Sequence, residues 1–185
     1  MPMSAHSLLT ERSSMPRLVE PAPDAAQWAF IQAAAMRAPD HMQLQPYEFV
    51  VYEGNKRLQL GQLFAQAARE AGQTELEISR CEVLPLRAPT VVVALLRFKN
   101  HDKVPRDEQV STVACACHGM LQAAFAEGLG GIWRSGWLVD AASVRQAFNL
   151  APGDTIIGFL YLGTPALPTP VKPAKDPQLV FRRAD

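Results

Sequence analysis

The fold is decided by the stretch at residues 36–54, which reads MRAPDHMQLQPYEFVVYEG. Its first part ends an Ala-rich helix, and Pro39 stops that helix because the residue before a proline is disfavoured in the helical conformation. Its last part, Tyr47 to Glu53, is rich in aromatic and β-branched residues and predicts a strand. The polar loop between them follows Arg37 and contains His41, and rigid loops of this kind often carry functional sites. The alternative is an ordinary polar surface connector.

The rest of the chain alternates between helical and extended patterns. Apolar residues spaced three to four apart predict amphipathic helices, and short continuous apolar runs predict strands buried on both faces. The predicted helices cover about residues 7–12, 25–36, 56–71, 74–84, 107–129 and 140–148, and the predicted strands cover 47–53, 90–96 and 155–162. Asp24, Thr74 and Asp140 are the expected N-caps of three of these helices. The helix at 107–129 is apolar on most of its surface, which places it centrally in the core or at a subunit interface.

Composition and charge exclude several classes of protein. A chain of 185 residues, of which 48% are hydrophobic, fits a single domain over residues 1–185. The formal net charge is zero, so no electrostatic field favours nucleic acid or a membrane surface. We expect neither a signal peptide nor a membrane span. Three cysteines cannot all pair, and we interpret them as reduced thiols of a cytoplasmic protein.

Motifs for hydrolytic, metal and nucleotide chemistry do not occur in the sequence. The four histidines and three cysteines lack the spacing of zinc ligands. Ser135 has glycine on one side only and lacks the frame of a nucleophile elbow. No glycine loop ends in Gly-Lys-Ser or Gly-Lys-Thr, which argues against an NTPase. We therefore predict neither a metal site nor a nucleophilic side chain.

A second informative stretch, GLGGIWRSG at residues 128–136, follows the long helix. Its glycines end the helix and allow the backbone to approach a neighbouring group closely. The glycine spacing differs from that of the dinucleotide-binding fingerprint. The stretch is predicted to be a loop beside such a group, and the alternative is a tight turn from helix to strand.

Three separated motifs resemble, in their order, the nitroreductase family of flavin enzymes, most of all its small bacterial NAD(P)H nitroreductase subgroup. The first is Glu-Arg-Ser at 11–13, after the first helix. The second is Arg-Ala-Pro-Asp-His at 37–41, followed by Gln-Pro-Tyr-Glu-Phe at 45–49. The third is the glycine-rich stretch at 128–136, which resembles the loop along the flavin ring. The resemblance covers about Leu8 to Pro165.

The resemblance implies an α+β fold of three layers, with a central mixed or antiparallel sheet flanked by helices, in an intertwined homodimer. It also implies FMN bound between the two subunits. The residues implied to hold the subunit's own FMN are Glu11, Arg12, Ser13, Trp133, Arg134 and Ser135, and those implied to reach the partner's FMN are Arg37 and His41. In this interpretation Arg12 and Ser13 take the phosphate, Trp133 is a flat apolar wall, and Arg134 is a cation beside the ring.

The chain departs from the family's usual residues at two positions and ends in a Pro-rich tail. Glu11 stands where the family usually has Arg, and a carboxylate beside a phosphate is repulsive. Either Glu11 points to solvent while Arg12 binds the phosphate, or phosphate binding is weakened. Tyr47 stands where Trp is common, which is a mild change between two flat rings. The Pro-rich tail at about 166–185 is implied to wrap the partner subunit, and the arginines at 182–183 either contact phosphate or are simply solvated.

The implied activity is an FMN-dependent transfer of hydride from NAD(P)H to a nitroaromatic or quinone-like acceptor, in a two-step, ping-pong cycle. The flavin carries the chemistry, so no catalytic acid–base residue is predicted. Two alternatives stay open at this point. One is a non-catalytic dimer that has lost FMN through Glu11, and the other is a flavin enzyme that oxidises another small metabolite.

Overall fold

A five-stranded sheet lies between two layers of helices in the computed structural model, which describes residues 3–168 and 171–184. The strand order is β1-β5-β3-β2, β4 also pairs with β5, and every pairing is antiparallel. The strands are β1 Leu18–Val19, β2 Tyr47–Glu53, β3 Thr90–Leu96, β4 Gly130–Arg134 and β5 Thr155–Pro165. The helices are α1 Ala5–Glu11, α2 Ala25–Ala35, α3 Lys56–Glu70, α4 Glu75–Val83, α5 Arg106–Ala126 and α6 Ala142–Ala147. The predicted α+β class and three-layer arrangement are confirmed.

The central strand β3 shows why the sheet is covered on both faces. Every residue of β3 is buried, as its continuous apolar pattern predicts. Side chains alternate between the faces of a strand. Val91, Val93 and Leu95 therefore join one core with α3, α4 and α6, whereas Val92 and Ala94 join a second core with α2 and α5.

The second core depends on a close approach of α2 and α5. A Cβ placed on Gly119 of α5 would lie 3.0 Å from the backbone oxygen of Ala34 in α2, so a larger residue would force the helices apart. The Asp24 carboxylate starts α2 by accepting from the backbone N–H of Ala26 and of Gln27, as predicted. The Thr74 hydroxyl caps α4 in the same way, also as predicted.

Three local predictions from the sequence are wrong. Residues 130–134 form strand β4 rather than a loop, because β5 offers them a hydrogen-bonding edge that the glycine-rich composition does not reveal. β5 does not stop at residue 162 but continues to Pro165, where it pairs with the two-residue strand β1. The last helix begins later than predicted and is preceded by Ala141, so Asp140 is not its N-cap.

The C-terminal residues that the structure describes are exposed. Within 171–184 a single turn forms at Pro177–Leu179, and Leu179, Val180 and Phe181 are each about 80% exposed. Of the predicted tail, residues 169, 170 and 185 lie outside the described residues. Among the described helices, none combines the length and the apolar character that crossing a membrane requires.

Candidate functional site

The end of β4 opens into a cleft of about 390 Å³, which we name the β4 cleft. Three predicted site residues, Trp133, Arg134 and Ser135, line it together with Gly136. Its remaining walls are apolar or aromatic side chains of the core that contains α3, α4 and α6: Phe64, Leu84, Ile132, Leu138, Phe159 and Tyr161. The volume lies in the range of small-molecule sites, which are typically apolar with a few polar groups.

Arg134 brings a positive charge into this apolar cleft. Its guanidinium carbon lies 5.7 Å from the centre of the Tyr161 ring, a cation–π distance. Its Nε is buried and has no hydrogen-bond partner within the described parts of the chain. Leaving a buried N–H without an acceptor costs about 1–3 kcal/mol. The cleft is thus lined by a guanidinium that forms no ion pair within the described residues.

Tyr161 keeps its proton beside Arg134. Burial of the ring raises the pKa of Tyr161 to about 12, although the charges of Arg134 and Arg87 act in the opposite direction. Tyr161 is therefore a neutral aromatic wall at any physiological pH, and the cleft carries the positive charge of Arg134 without a compensating phenolate.

Trp133 points away from Arg134. Its indole packs with the α2 and α5 layer, whereas Arg134 lies over Tyr161 in the other layer. The indole Nε1 donates to the backbone oxygen of Ile157 at 3.2 Å and lies over Gly158, where a Cβ would come within 2.1 Å of it. Trp133 thus borders the β4 cleft while its ring is held on the opposite face of the sheet.

The segment after α1 lies beside β4. The backbone N–H of Met15 donates to the oxygen of Gly131 at 3.0 Å, so the predicted phosphate residues Arg12 and Ser13 run next to this strand. Ser13 is buried, and Glu11 and Arg12 are partly exposed. The contact of Met15 with Gly131 thus joins the segment that follows residues 11–13 to the strand that precedes Ser135.

His41 lies in a different cleft, of about 370 Å³, which we name the His41 cleft. Its Nδ1 lies 2.8 Å from the Glu108 carboxylate of α5. The other lining residues come from the same loop and from the first half of α5: Pro39, Asp107, Ser111, Thr112 and Cys115. Although acidic, histidine and cysteine side chains occur here, no group of three within the described ranges is arranged to hold a metal ion.

Arg37 lines a third, mostly apolar cleft between α1, α2 and α5, of about 440 Å³. Leu8, Phe30 and Gly119 are among its walls. Arg37 and His41 are neighbours in sequence but occupy separate clefts, and neither lines the β4 cleft. Within one chain, Arg37, His41 and the residues at 133–135 thus line three different clefts.

Two residues of these clefts were missed by the sequence analysis. Glu108 has the pattern of an acidic residue in the first turn of a helix, and nothing in the sequence pairs it with a histidine 67 positions away. Tyr161 belongs to a buried apolar strand, and its contact with Arg134 follows from the antiparallel pairing of β4 and β5.

The chain matches known proteins over nearly its whole length. The profile of the nitroreductase family matches residues 11–164. The chain is 44% identical over 165 residues to Escherichia coli YdjA, which is named provisionally as an NAD(P)H nitroreductase, and the match covers 89% of this chain and 90% of YdjA. A nitroreductase-like protein of Bacillus cereus shares the fold with a TM-score of 0.83 and 21% identity, over 100% of this chain and 98% of that one.

A Desulfovibrio desulfuricans structure, named provisionally as a nitroreductase in complex with FMN, superposes with a TM-score of 0.73 at 19% identity, over 100% of this chain and 99% of that one. The structural likenesses at this identity concern the fold alone, whereas the profile match and the identity with YdjA identify the family. This chain belongs to the nitroreductase family.

Proposed function

We propose that the protein is an FMN-dependent oxidoreductase that takes hydride from NAD(P)H and reduces a nitroaromatic or quinone-like acceptor. The observation that carries the proposal is Arg134, whose guanidinium lines an apolar cleft and forms no ion pair within the described residues. The names of the relatives support it, because YdjA is named for NAD(P)H and nitro reduction and the D. desulfuricans structure holds FMN. FMN supplies the hydride chemistry when bound, so the chain has to bind and tune it.

The β4 cleft fits an isoalloxazine ring in its chemistry. Its aromatic and aliphatic walls suit a flat apolar ring, and Arg134 suits the polar edge of that ring. A cation at this edge stabilises the negative charge of the reduced state, and the effect is strong where water is scarce. Arg134 is thus proposed both to orient the cofactor and to favour its reduction, with Trp133 and Ser135 as further contacts.

The phosphate would be held by Arg12 and Ser13, which shortly precede Met15, the residue that bonds to Gly131 of β4. A guanidinium and a hydroxyl are suitable donors for phosphate oxygens. Glu11 is partly exposed and has no ion pair within the described residues, so its carboxylate can face solvent while Arg12 faces the ligand. We propose that Glu11 weakens the phosphate site without abolishing it.

A second copy of the chain would complete the site. Large apolar side chains of α1, α2 and the following loop are exposed: Leu9, Phe30, Met36 and Met42, which are 71%, 46%, 50% and 54% exposed. Exposed apolar side chains of this size favour burial against a partner. In the proposed homodimer Arg37 and His41 reach the partner's FMN, and the tail with exposed Leu179–Phe181 wraps the partner.

NAD(P)H and the acceptor are proposed to use the same open side of the site in turn. This arrangement predicts ping-pong kinetics, in which the first product leaves before the acceptor binds. The three cysteines are free, which supports the proposed cytoplasmic location.

The direct test is spectroscopic. The purified protein, after incubation with FMN and gel filtration, should retain a yellow chromophore that bleaches anaerobically with NADPH or NADH and recovers when p-benzoquinone is added. FMN carried through the same column without protein is the control. A protein that stays colourless at millimolar FMN would contradict the proposal.

Glu11 favours one competing function, a dimer of this fold that no longer binds FMN. The variant Glu11→Arg separates the two because it removes the repulsion and adds a donor for phosphate. We expect wild type to bind FMN and Glu11→Arg to bind it about tenfold more tightly, as one charged hydrogen bond allows. A wild type that binds no FMN beside a variant that does would establish the non-catalytic alternative.

A further inference from the structure

The His41–Glu108 pair is the one ion pair at the predicted site residues within the described parts of the chain. Nδ1 of His41 lies 2.8 Å from Oε2 of Glu108, and the two side chains are 51% and 50% exposed. An ionised carboxylate only accepts hydrogen bonds, so the hydrogen between them belongs to Nδ1. The other ring nitrogen, Nε2, is left for a group outside this contact.

The loop that carries His41 is held in place independently of Glu108. The Asp40 carboxylate accepts from the backbone N–H of Leu44 at 3.1 Å and of Gln45 at 2.7 Å. Met42, inside this turn, has a positive φ of 60°. The histidine therefore sits on an ordered turn, and Glu108 fixes the remaining freedom of its ring.

The titratable groups near His41 come from α5 and from its own loop. From α5, Asp107, Glu108 and Cys115 line the same cleft, and only Glu108 contacts the imidazole. From its own loop, Asp40 is engaged by backbone donors. The Lys99 ammonium donates to the backbone oxygen of Leu44 in the same loop. Glu108 is thus the acidic side chain that holds the ring of His41.

We infer that His41 and Glu108 form a proton-donating pair for the second half of the reaction, serving the site of the partner subunit. The inference rests on the proposed function. A quinone becomes a hydroquinone by gaining a hydride, which comes from the reduced cofactor, and a proton, which we assign to Nε2 of His41. The imidazolium becomes neutral while Nδ1–H stays on Glu108, and solvent then returns a proton to Nε2. His41 is the catalytic residue of this step, and Glu108 is its positioning residue.

The two half-reactions separate this role from binding. Anaerobic stopped-flow measurements on FMN-saturated protein would follow reduction by NADPH and, separately, reoxidation by p-benzoquinone. His41→Gln and Glu108→Ala should slow reoxidation about 10- to 100-fold more than they slow reduction, as loss of a general acid in the second half-reaction does. Glu108→Gln keeps an acceptor for Nδ1 and should lie between Glu108→Ala and wild type.

The matched control is Asp107→Asn, which removes the neighbouring charge of the same cleft without touching the imidazole. It should reoxidise at the rate of wild type. Equal slowing of both half-reactions in His41→Gln, or no slowing of either, would overturn the inference.

A readout without FMN keeps the inference separable from the proposed function. In ¹⁵N NMR spectra of the free protein, neutral His41 should appear as the Nδ1–H tautomer, and Glu108→Ala should shift it towards the Nε2–H tautomer. An unchanged tautomer would overturn the pairing even if FMN binds. Failure of NADPH to reduce wild type would instead contradict the proposed function and leave the tautomer result standing.

Discussion

The β4 cleft and the His41 cleft hold their charged side chains in opposite ways. Arg134 is set among apolar walls with a buried Nε that no described residue satisfies. His41 is half exposed, and its Nδ1 is satisfied by Glu108 of the same chain. The guanidinium of the first cleft thus has no ion-pair partner within the described residues. In the second cleft one ring nitrogen of His41 is engaged by Glu108 and the side chain is still half exposed.

This contrast suggests a division of labour between two copies of the chain. A donor without an acceptor is costly in the free protein and gains most from a ligand, so the β4 cleft should provide most of the FMN affinity. A half-exposed, internally fixed pair is suited to a face that another subunit approaches. The exposed apolar side chains of α1 and α2 are the proposed contact with that subunit.

The largest expected effect comes from breaking the proposed subunit contact. Phe30→Glu places a charge on the exposed apolar face of α2, and it should weaken dimerisation by on the order of 10³-fold because apolar contact is lost and a charge is buried. Val83→Glu, at a similarly exposed apolar residue of α4, is the control and should leave the dimer intact. Sedimentation velocity across a concentration series measures both, and an unchanged dimer in Phe30→Glu would place the interface elsewhere.

The second-largest expected effect is the loss of FMN affinity when Arg134 of the β4 cleft is replaced. Arg134→Met should weaken FMN binding about 100-fold, because a charged hydrogen bond is worth about 1.5–3 kcal/mol. The same variant should unfold at an equal or higher temperature than wild type without FMN, since it removes an unsatisfied buried group. Titration calorimetry and thermal unfolding test the two parts.

Arg145→Met is the matched control for that experiment. Arg145 donates to the backbone oxygen of Asp154 at 3.2 Å. Loss of this hydrogen bond should cost about 1 kcal/mol of stability and lower the melting temperature by about 2–4 °C, while FMN binding is unchanged. If Arg134→Met destabilises the free protein as much as Arg145→Met does, Arg134 is a structural residue and the account of the β4 cleft fails.

The smallest effect concerns alkaline pH. Burial raises the pKa of Tyr161 to about 12, above its ordinary value of 10.0, so the folded state keeps a proton that the unfolded state releases. The Tyr161 contribution to stability is therefore fully present below pH 10 and falls by about 1.4 kcal/mol per pH unit between pH 10 and 12. In urea unfolding at several pH values, Tyr161→Phe should reduce the slope of the unfolding free energy against pH. The contribution of Cys117, whose pKa is also raised to about 12 by burial, should persist. An identical slope in both proteins would contradict the burial effect.

The sequence predicts the parts of the fold that local pattern controls. The bounds of β2 and β3 agree with the prediction because each is a continuous run of β-favouring apolar residues between clear stops. β4 was not predicted, because its strand character depends on the neighbouring edge of β5 rather than on its own glycines. The two-residue strand β1 depends in the same way on the end of β5.

In the candidate site, too, the sequence indicates residues that belong to local motifs and does not indicate contacts that depend on the fold. The residue types at Arg37, His41 and Arg134 were predicted from short motifs, and their roles stay predictions. The sequence did not indicate that Trp133 and Arg134 face opposite sides of the sheet, although strand alternation gives this once β4 is recognised. The contact of His41 with Glu108 depends on how the loop packs against α5, which no local pattern specifies.

The most direct measurement of the central claim, that one subunit's β4 cleft and the partner's loop share one FMN, is FMN stoichiometry in mixed dimers. One subunit carries Arg134→Met, the other carries Arg37→Ala with His41→Ala, and each homodimer alone should bind FMN weakly. The purified mixed dimer should bind one FMN with the affinity of wild type, because one of its two sites then combines an intact cleft with an intact loop. A mixed dimer that binds no more FMN than its parent homodimers would show that each site lies within one subunit, and would contradict the account.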